Sequence, residues 1–167
     1  MTLATDSELP ELDLVDVNGN PGETRELATT GMPVLIVTSA ENRFCRTLRD
    51  VYADVVALNN GDYEVWMLAQ GAPEVVEAAY GELGAGVRLF PFDSGWDGLD
   101  ALEIEKFPTL IYAGVANKVK GVLEGWDRPV WQETLNELRS FHGWRPVFLE
   151  RSLPPAAAVP QTATASA

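Results

Sequence analysis

The run Pro33-Val34-Leu35-Ile36-Val37 contains no polar residue. A strand without polar alternation has both faces covered, as in the middle of a sheet with helices packed on it. From Asn42 to Leu58 the apolar residues Leu48, Val51, Tyr52, Val55, Val56 and Leu58 recur at helical spacing, so a helix is predicted to follow that strand. Tyr63 to Ala69 is a second buried strand, and Phe107-Pro108-Thr109-Leu110-Ile111-Tyr112 is an apolar run led by a proline. Strands alternating with helices predict an α/β fold in which a mixed sheet is flanked by helices.

The remaining elements fit around that centre. Leu12 to Val17 alternates apolar and acidic residues and runs into the turn Asn18-Gly19-Asn20-Pro21-Gly22, predicting an N-terminal β-hairpin. Glu23 to Ala28 is read as a short helical turn. Pro73 to Leu83 is predicted to be a helix with proline near its first position and Gly84 near its end. Val87 to Phe92 reads as a short strand and Gly98 to Ile104 as a helical turn. Pro108–Tyr112 and Lys118–Leu123 are expected to form a hairpin. Pro129 to Phe141 is the last helix, with Trp131, Leu135, Leu138 and Phe141 on one stripe that closes the core.

The expected organisation is a flexible N-terminus over 1–8, one domain over 9–142, and an aromatic arm over 143–153. From Pro154 the chain holds only Pro, Ala, Val, Gln, Thr and Ser, and a disordered tail over 154–167 is expected on composition. The arm carries Trp144, Phe148 and Leu149, which either fold back or dock a protein partner.

Charge narrows the function classes. A formal net charge of -13 opposes binding to nucleic acid by phosphate neutralisation and points to a basic protein partner, if any. No apolar run reaches the roughly 20 residues that span a bilayer, so no membrane insertion is expected. The acidic N-terminus lacks signal-peptide regions, and the single cysteine suits a reducing compartment; a cytoplasmic location is expected. His142 is the one histidine and reads as a surface residue. With one His and one Cys, neither a metal site nor another cofactor is expected. The segment Asp93 to Gly98 is read as an acidic loop, and Gly81 to Gly86 as a helix stop.

Leu9 to Phe141 resembles the thioredoxin-like superfamily, in particular its redoxin and thiol-specific antioxidant branch. Three segments carry the resemblance. Leu9 to Gly19 is similar to that branch's N-terminal hairpin, Val34 to Cys45 to its central strand and active-site turn, and Phe107-Pro108-Thr109 to its cis-proline strand. The resemblance implies a thioredoxin-like fold. It also locates a departure: Asn42-Arg43-Phe44-Cys45 stands where family oxidoreductases have C-x-x-C. Disulfide exchange needs one thiolate to attack and a second thiol to resolve. One cysteine excludes that cycle.

Three readings of Cys45 remain open: an inert, partly buried thiol, a peroxide-reactive thiol, and a site of reversible mixed disulfides. In the second, the resemblance puts Asn42 where peroxidases of the superfamily have threonine, with Arg43 and Arg46 lowering the thiol pKa. Thr38 stands where those peroxidases carry a proline. The resemblance gives Phe107, Pro108 and Thr109 two readings: it implies a docking edge for an extended peptide, as the backbone beside this proline forms in the family, or else a bend that the fold requires. The leading expectation is a binding or accessory protein, possibly assisting assembly of a redox complex, with no dithiol chemistry. A one-cysteine peroxidase or thiol reductase is the rival.

Overall fold

The computed structural model describes residues 3–27, 31–59, 63–83, 87–141 and 143–161. The chain opens with a hairpin in which Asp13–Val15 (β1) pairs antiparallel with Pro21–Glu23 (β2). Met32–Ser39 (β3) is the central strand, buried from Pro33 onward. Two short helices follow, Arg43–Thr47 (α1) and Arg49–Val56 (α2). Tyr63–Gln70 (β4), Pro73–Tyr80 (α3), Arg88–Phe92 (β5) and Gly98–Ala101 (α4) come next. Lys106–Phe107 (β6) leads through Pro108 into Thr109–Ala113 (β7), which turns back as Val119–Glu124 (β8). Trp126–Asp127 (β9) and Arg128–Ser140 (α5) complete the domain.

Five strands form one sheet in the order β5-β4-β3-β7-β8. β3 pairs parallel with β4 and antiparallel with β7. Alternation along β3 separates two apolar layers, because successive side chains point to opposite faces. Val34 and Ile36 join a layer with Val65 and Met67 that α2, α3 and α5 cover through Tyr52, Val76 and Trp131. Leu35 and Val37 join a layer with Trp66, Phe90 and Phe107, covered by Leu14, Leu27 and Leu99. Each fully buried Val, Leu or Ile contributes roughly 1.5–3 kcal/mol relative to exposure.

Several expectations meet corrections. The helix expected over Asn42 to Leu58 breaks at Leu48, where φ is -88° and ψ is 10°. There the Leu48 N–H turns back to Cys45 O, while the Thr47 hydroxyl donates to Phe44 O at 2.6 Å and competes for the helical pattern. Phe141 does not close the core and is 77% exposed. At 3.6 residues per turn it lies about 80° around the helix from Trp131, and α5 has ended. In the hairpin, Val15 faces solvent and Asp16 faces inward, against the expected alternation, because Arg88 donates to Asp16 Oδ2 at 2.9 Å.

The termini also differ from expectation. Asp6 N–H donates to Val119 O and Val119 N–H to Ser7 O, both at 2.8 Å, so residues 6–8 run beside β8. Residues 154–161 are laid along the domain: Ala156–Ala157 (β10) pairs antiparallel with β9, and Val159–Pro160 (β11) antiparallel with β6. Backbone pairing needs no large side chain, which is why a composition reading missed it. The arm folds back as well. Asn136 bonds both backbone groups of Val147, Gln132 accepts from Leu149 N–H at 2.9 Å, and Leu149 is 6% exposed. His142, the end of the turn after Asn59, the glycines at 84 and 86 and the final residues 162–167 lie outside the described residues. No helix among the described residues is long and apolar enough to cross a membrane.

Asp16 supplies a stability test. Burial pushes its carboxyl pKa up, but hydrogen bonds from the Asn20 and Asn18 N–H groups and from Arg88 outweigh it, and the net shift is downward. The ionised form is therefore favoured by folding. Its contribution is full above the ordinary aspartate value of about 3.9 and is lost as pH falls through the lower folded value. Asp16→Asn should cost about 1–2 kcal/mol in urea unfolding at pH 7, and this difference should close in acid.

Candidate functional site

The end of β3 and the start of α1 form a single local unit. Asn42 is extended, with φ -92° and ψ 129°, and its side-chain oxygen accepts from the Cys45 N–H at 3.1 Å. This is an N-cap bond, satisfying a donor that the first helical turn leaves without a partner. Ser39 Oγ in turn accepts from the N–H groups of Glu41 and Asn42 at 3.1 and 3.2 Å. Asn42 is itself 4% exposed. Asn42 is thus a structural cap of α1.

Cys45 is 0% exposed and packs in the apolar layer that contains Leu35, Val37 and Phe107. Around it lies a polar fringe in which only Thr38 was singled out from the sequence, and not for its hydrogen bond. Thr38 and Tyr52 share a buried hydrogen bond at 2.8 Å, and Tyr80 OH donates to Ser39 O at 2.8 Å. The two tyrosine rings meet edge-on with centroids 5.8 Å apart. The available signal was an apolar strand ending in Thr38-Ser39, two polar residues that need partners once buried.

The thiol pKa is raised. Burial dominates; the Thr38 hydroxyl, the Ser39 backbone and the positive charge of Arg46 act in the opposite direction and do not compensate. Arg46 is exposed and spends a guanidinium N–H on Ala40 O at 2.9 Å. Arg43 is exposed too, and is not among the groups shifting the thiol. The activation by Arg43 and Arg46 expected of a peroxidase is therefore outweighed by desolvation, and the sulfur is a protonated thiol at neutral pH.

Sheet pairing brings the second segment alongside. Val37 of β3 stands opposite Thr109 of β7. The Phe107–Pro108 peptide bond is cis, and Pro108 O accepts from the Gly125 N–H at 2.7 Å. Phe107, Pro108 and Thr109 are all buried, and Thr109 Oγ1 donates to Lys106 O at 2.7 Å. The backbone of Phe107 is paired with Val159 of the chain's own C-terminal segment. Asn42, Cys45 and Phe107 to Thr109 thus share one end of the sheet. Trp144, Phe148 and Leu149 do not join them. Trp144 and Leu149 pack on the opposite layer, Arg139 lies 5.6 Å from the Trp144 ring centre, and Phe148 is 81% exposed. No group of three or more His, Cys, Asp or Glu residues able to hold a metal occurs among the described residues.

Two outcomes follow from this geometry. Asn42→Ala should lower stability by about 1 kcal/mol through the lost cap, read by urea denaturation. Alkylation of native Cys45 by an uncharged maleimide should run at least about a hundredfold slower than for an exposed thiol and reach the free rate on unfolding.

No family model matches the chain, and no curated protein is similar to it. Solved structures do match. The thioredoxin domain of a thiol-disulfide oxidoreductase from Bacteroides vulgatus is 18% identical, with a TM-score of 0.67 over 84% of this chain and 99% of that one. A hypothetical protein from Sinorhizobium meliloti is 13% identical, with a TM-score of 0.73 over 98% of this chain and 97% of that one. A secreted disulfide oxidoreductase from Mycobacterium tuberculosis is 12% identical, with a TM-score of 0.61 over 77% and 95%. The chain has the thioredoxin-like fold.

Proposed function

We propose that this chain is a thioredoxin-fold protein that works by binding a protein partner, as an accessory or assembly subunit of a redox complex, and exchanges no electrons itself. One observation carries this reading: the single cysteine is buried, held as a thiol, and preceded by a capping asparagine. Similarity to thiol-disulfide oxidoreductases supports the link to redox assemblies by analogy of fold. The net charge of -13 favours a partner with a basic face, and Phe148 is an exposed aromatic on the arm available as an anchor. The rival use of Cys45 as a one-cysteine peroxidase or thiol reductase requires an accessible thiolate. The geometry works against both requirements.

The test compares the full chain with its Cys45→Ser variant. Stopped-flow mixing with hydrogen peroxide, and separately with a small aromatic disulfide, should show no Cys45-dependent step faster than for a simple thiol. Partner capture at native expression level should survive Cys45→Ser and weaken with Phe148→Ala by about 1–2 kcal/mol. Rapid Cys45-dependent sulfenate formation would overturn the reading.

A further inference from the structure

The end of the sheet away from Cys45 holds a cleft. β3 and β4 begin there, with Met32 opposite Tyr63, and β7 ends there at Ala113. The last turn of α5 closes on this end: Tyr63 OH donates to Leu138 O at 3.0 Å, and Leu138 is buried. Between them opens a space of about 310 Å³ whose walls include Met32, Tyr63, Tyr112 and Phe141. Small-ligand sites start near roughly 300 Å³ and are mostly apolar with a few polar groups. Phe141, which stands outside the core at 77% exposure, borders this cleft instead.

Two local features shape the cleft. β8 bulges against β7: Tyr112 stands opposite Gly121 but Ala113 opposite Val119, so Lys120 is the extra residue. A Cβ at Gly121 would collide with the Tyr112 ring, so glycine lets that ring lie across β8 as a wall of the cleft. Lys120 lays its stem along Gly114 and carries its ammonium to 3.6 Å from Asp6 Oδ1. Its charge is thus matched by a carboxylate that does not line the cleft, while its stem adds apolar surface.

Glu137 on α5 is the unmatched charge at this site. It lines the cleft and makes no ion pair among the described residues. Burial, and then the Glu137 charge, push the Tyr112 hydroxyl pKa up, so the phenol stays neutral. The cleft therefore offers two partly open aromatic side chains, an uncharged hydroxyl and one free carboxylate, on a chain of net charge -13. Aromatic rings and a carboxylate both attract a cation. We infer that this cleft binds a small aromatic cation, a flat ring system bearing an ammonium or guanidinium group. The ring packs against Tyr112 and Phe141, and the charge meets Glu137. The inference goes beyond the partner-binding reading and does not rest on it.

Tryptamine is the probe, titrated into the full isotopically labelled chain while amide shifts are followed by NMR. The Ala113, Gly114 and Phe141 amides should move and saturate by about 10 mM, with those of Thr38 and Ser39 unmoved. Indole-3-propionate, the same ring on an anionic arm, should bind at least about fivefold more weakly. Glu137→Gln should weaken tryptamine by about threefold and bring the two probes close together, and Phe141→Ala should weaken both. N-acetyl-arginine amide, which has the charge of a partner's side chain without a fused ring, should also bind at least about fivefold more weakly than tryptamine. No saturable shift at these amides, equal affinity for the two indoles, or native affinity in a folded Glu137→Gln chain would each overturn the inference. Tighter binding of the arginine compound would give the cleft to a basic protein, with the same consequence. Sedimentation of the native chain should show no association that Phe141→Ala abolishes; such association would assign the cleft to a second copy and refute the proposal.

Discussion

Pairing of β3 on both edges while both its faces are desolvated is the constraint from which the rest follows. Pro33 to Ser39 are buried, so the backbone groups along this strand must find partners within the protein. They find them in β4 on one side and β7 on the other. That double pairing fixes Val37 opposite Thr109 and brings the start of α1 and the Phe107–Pro108 bend to the same end of the sheet. The site is a consequence of the central strand's hydrogen-bond accounting, and so is its closure to solvent.

The same desolvation decides the chemistry. A cysteine at a helix start with arginines nearby has the ingredients of a stabilised thiolate. Here burial outweighs them: Arg46 turns to the Ala40 carbonyl, Arg43 faces solvent, and Cys45 lies in the apolar layer that holds Val37 and Phe107. Asn42 adds a purely structural bond, its side-chain oxygen accepting from the Cys45 N–H. Beside this end of the sheet, the chain's own C-terminal segment pairs with β6.

Much of this was legible in the sequence because it rests on periodicity. The unbroken apolar run at Pro33–Val37, the helical spacing of Val51, Tyr52 and Val55, and the proline-led run at Phe107 to Tyr112 each report which faces are buried. Less legible were features that depend on individual hydrogen bonds. Thr47 and Leu48 break a helix that spacing alone would continue, and Asp16 turns inward for Arg88 at a sequence distance that no local pattern reveals. The alanine-rich segment after Pro154 was the largest miss. Composition measures what side chains can bury, whereas Ala156 to Pro160 are placed by main-chain pairing and by the space Gly125 leaves.

Burial keeps the thiol of Cys45 protonated. A pH titration of thiolate ultraviolet absorbance, taken as the difference between the full chain and its Cys45→Ser variant, addresses it directly. The account predicts no Cys45-dependent thiolate signal at neutral pH, with ionisation appearing only above the ordinary cysteine range of about 8.5. A signal that titrates at or below neutrality would contradict it.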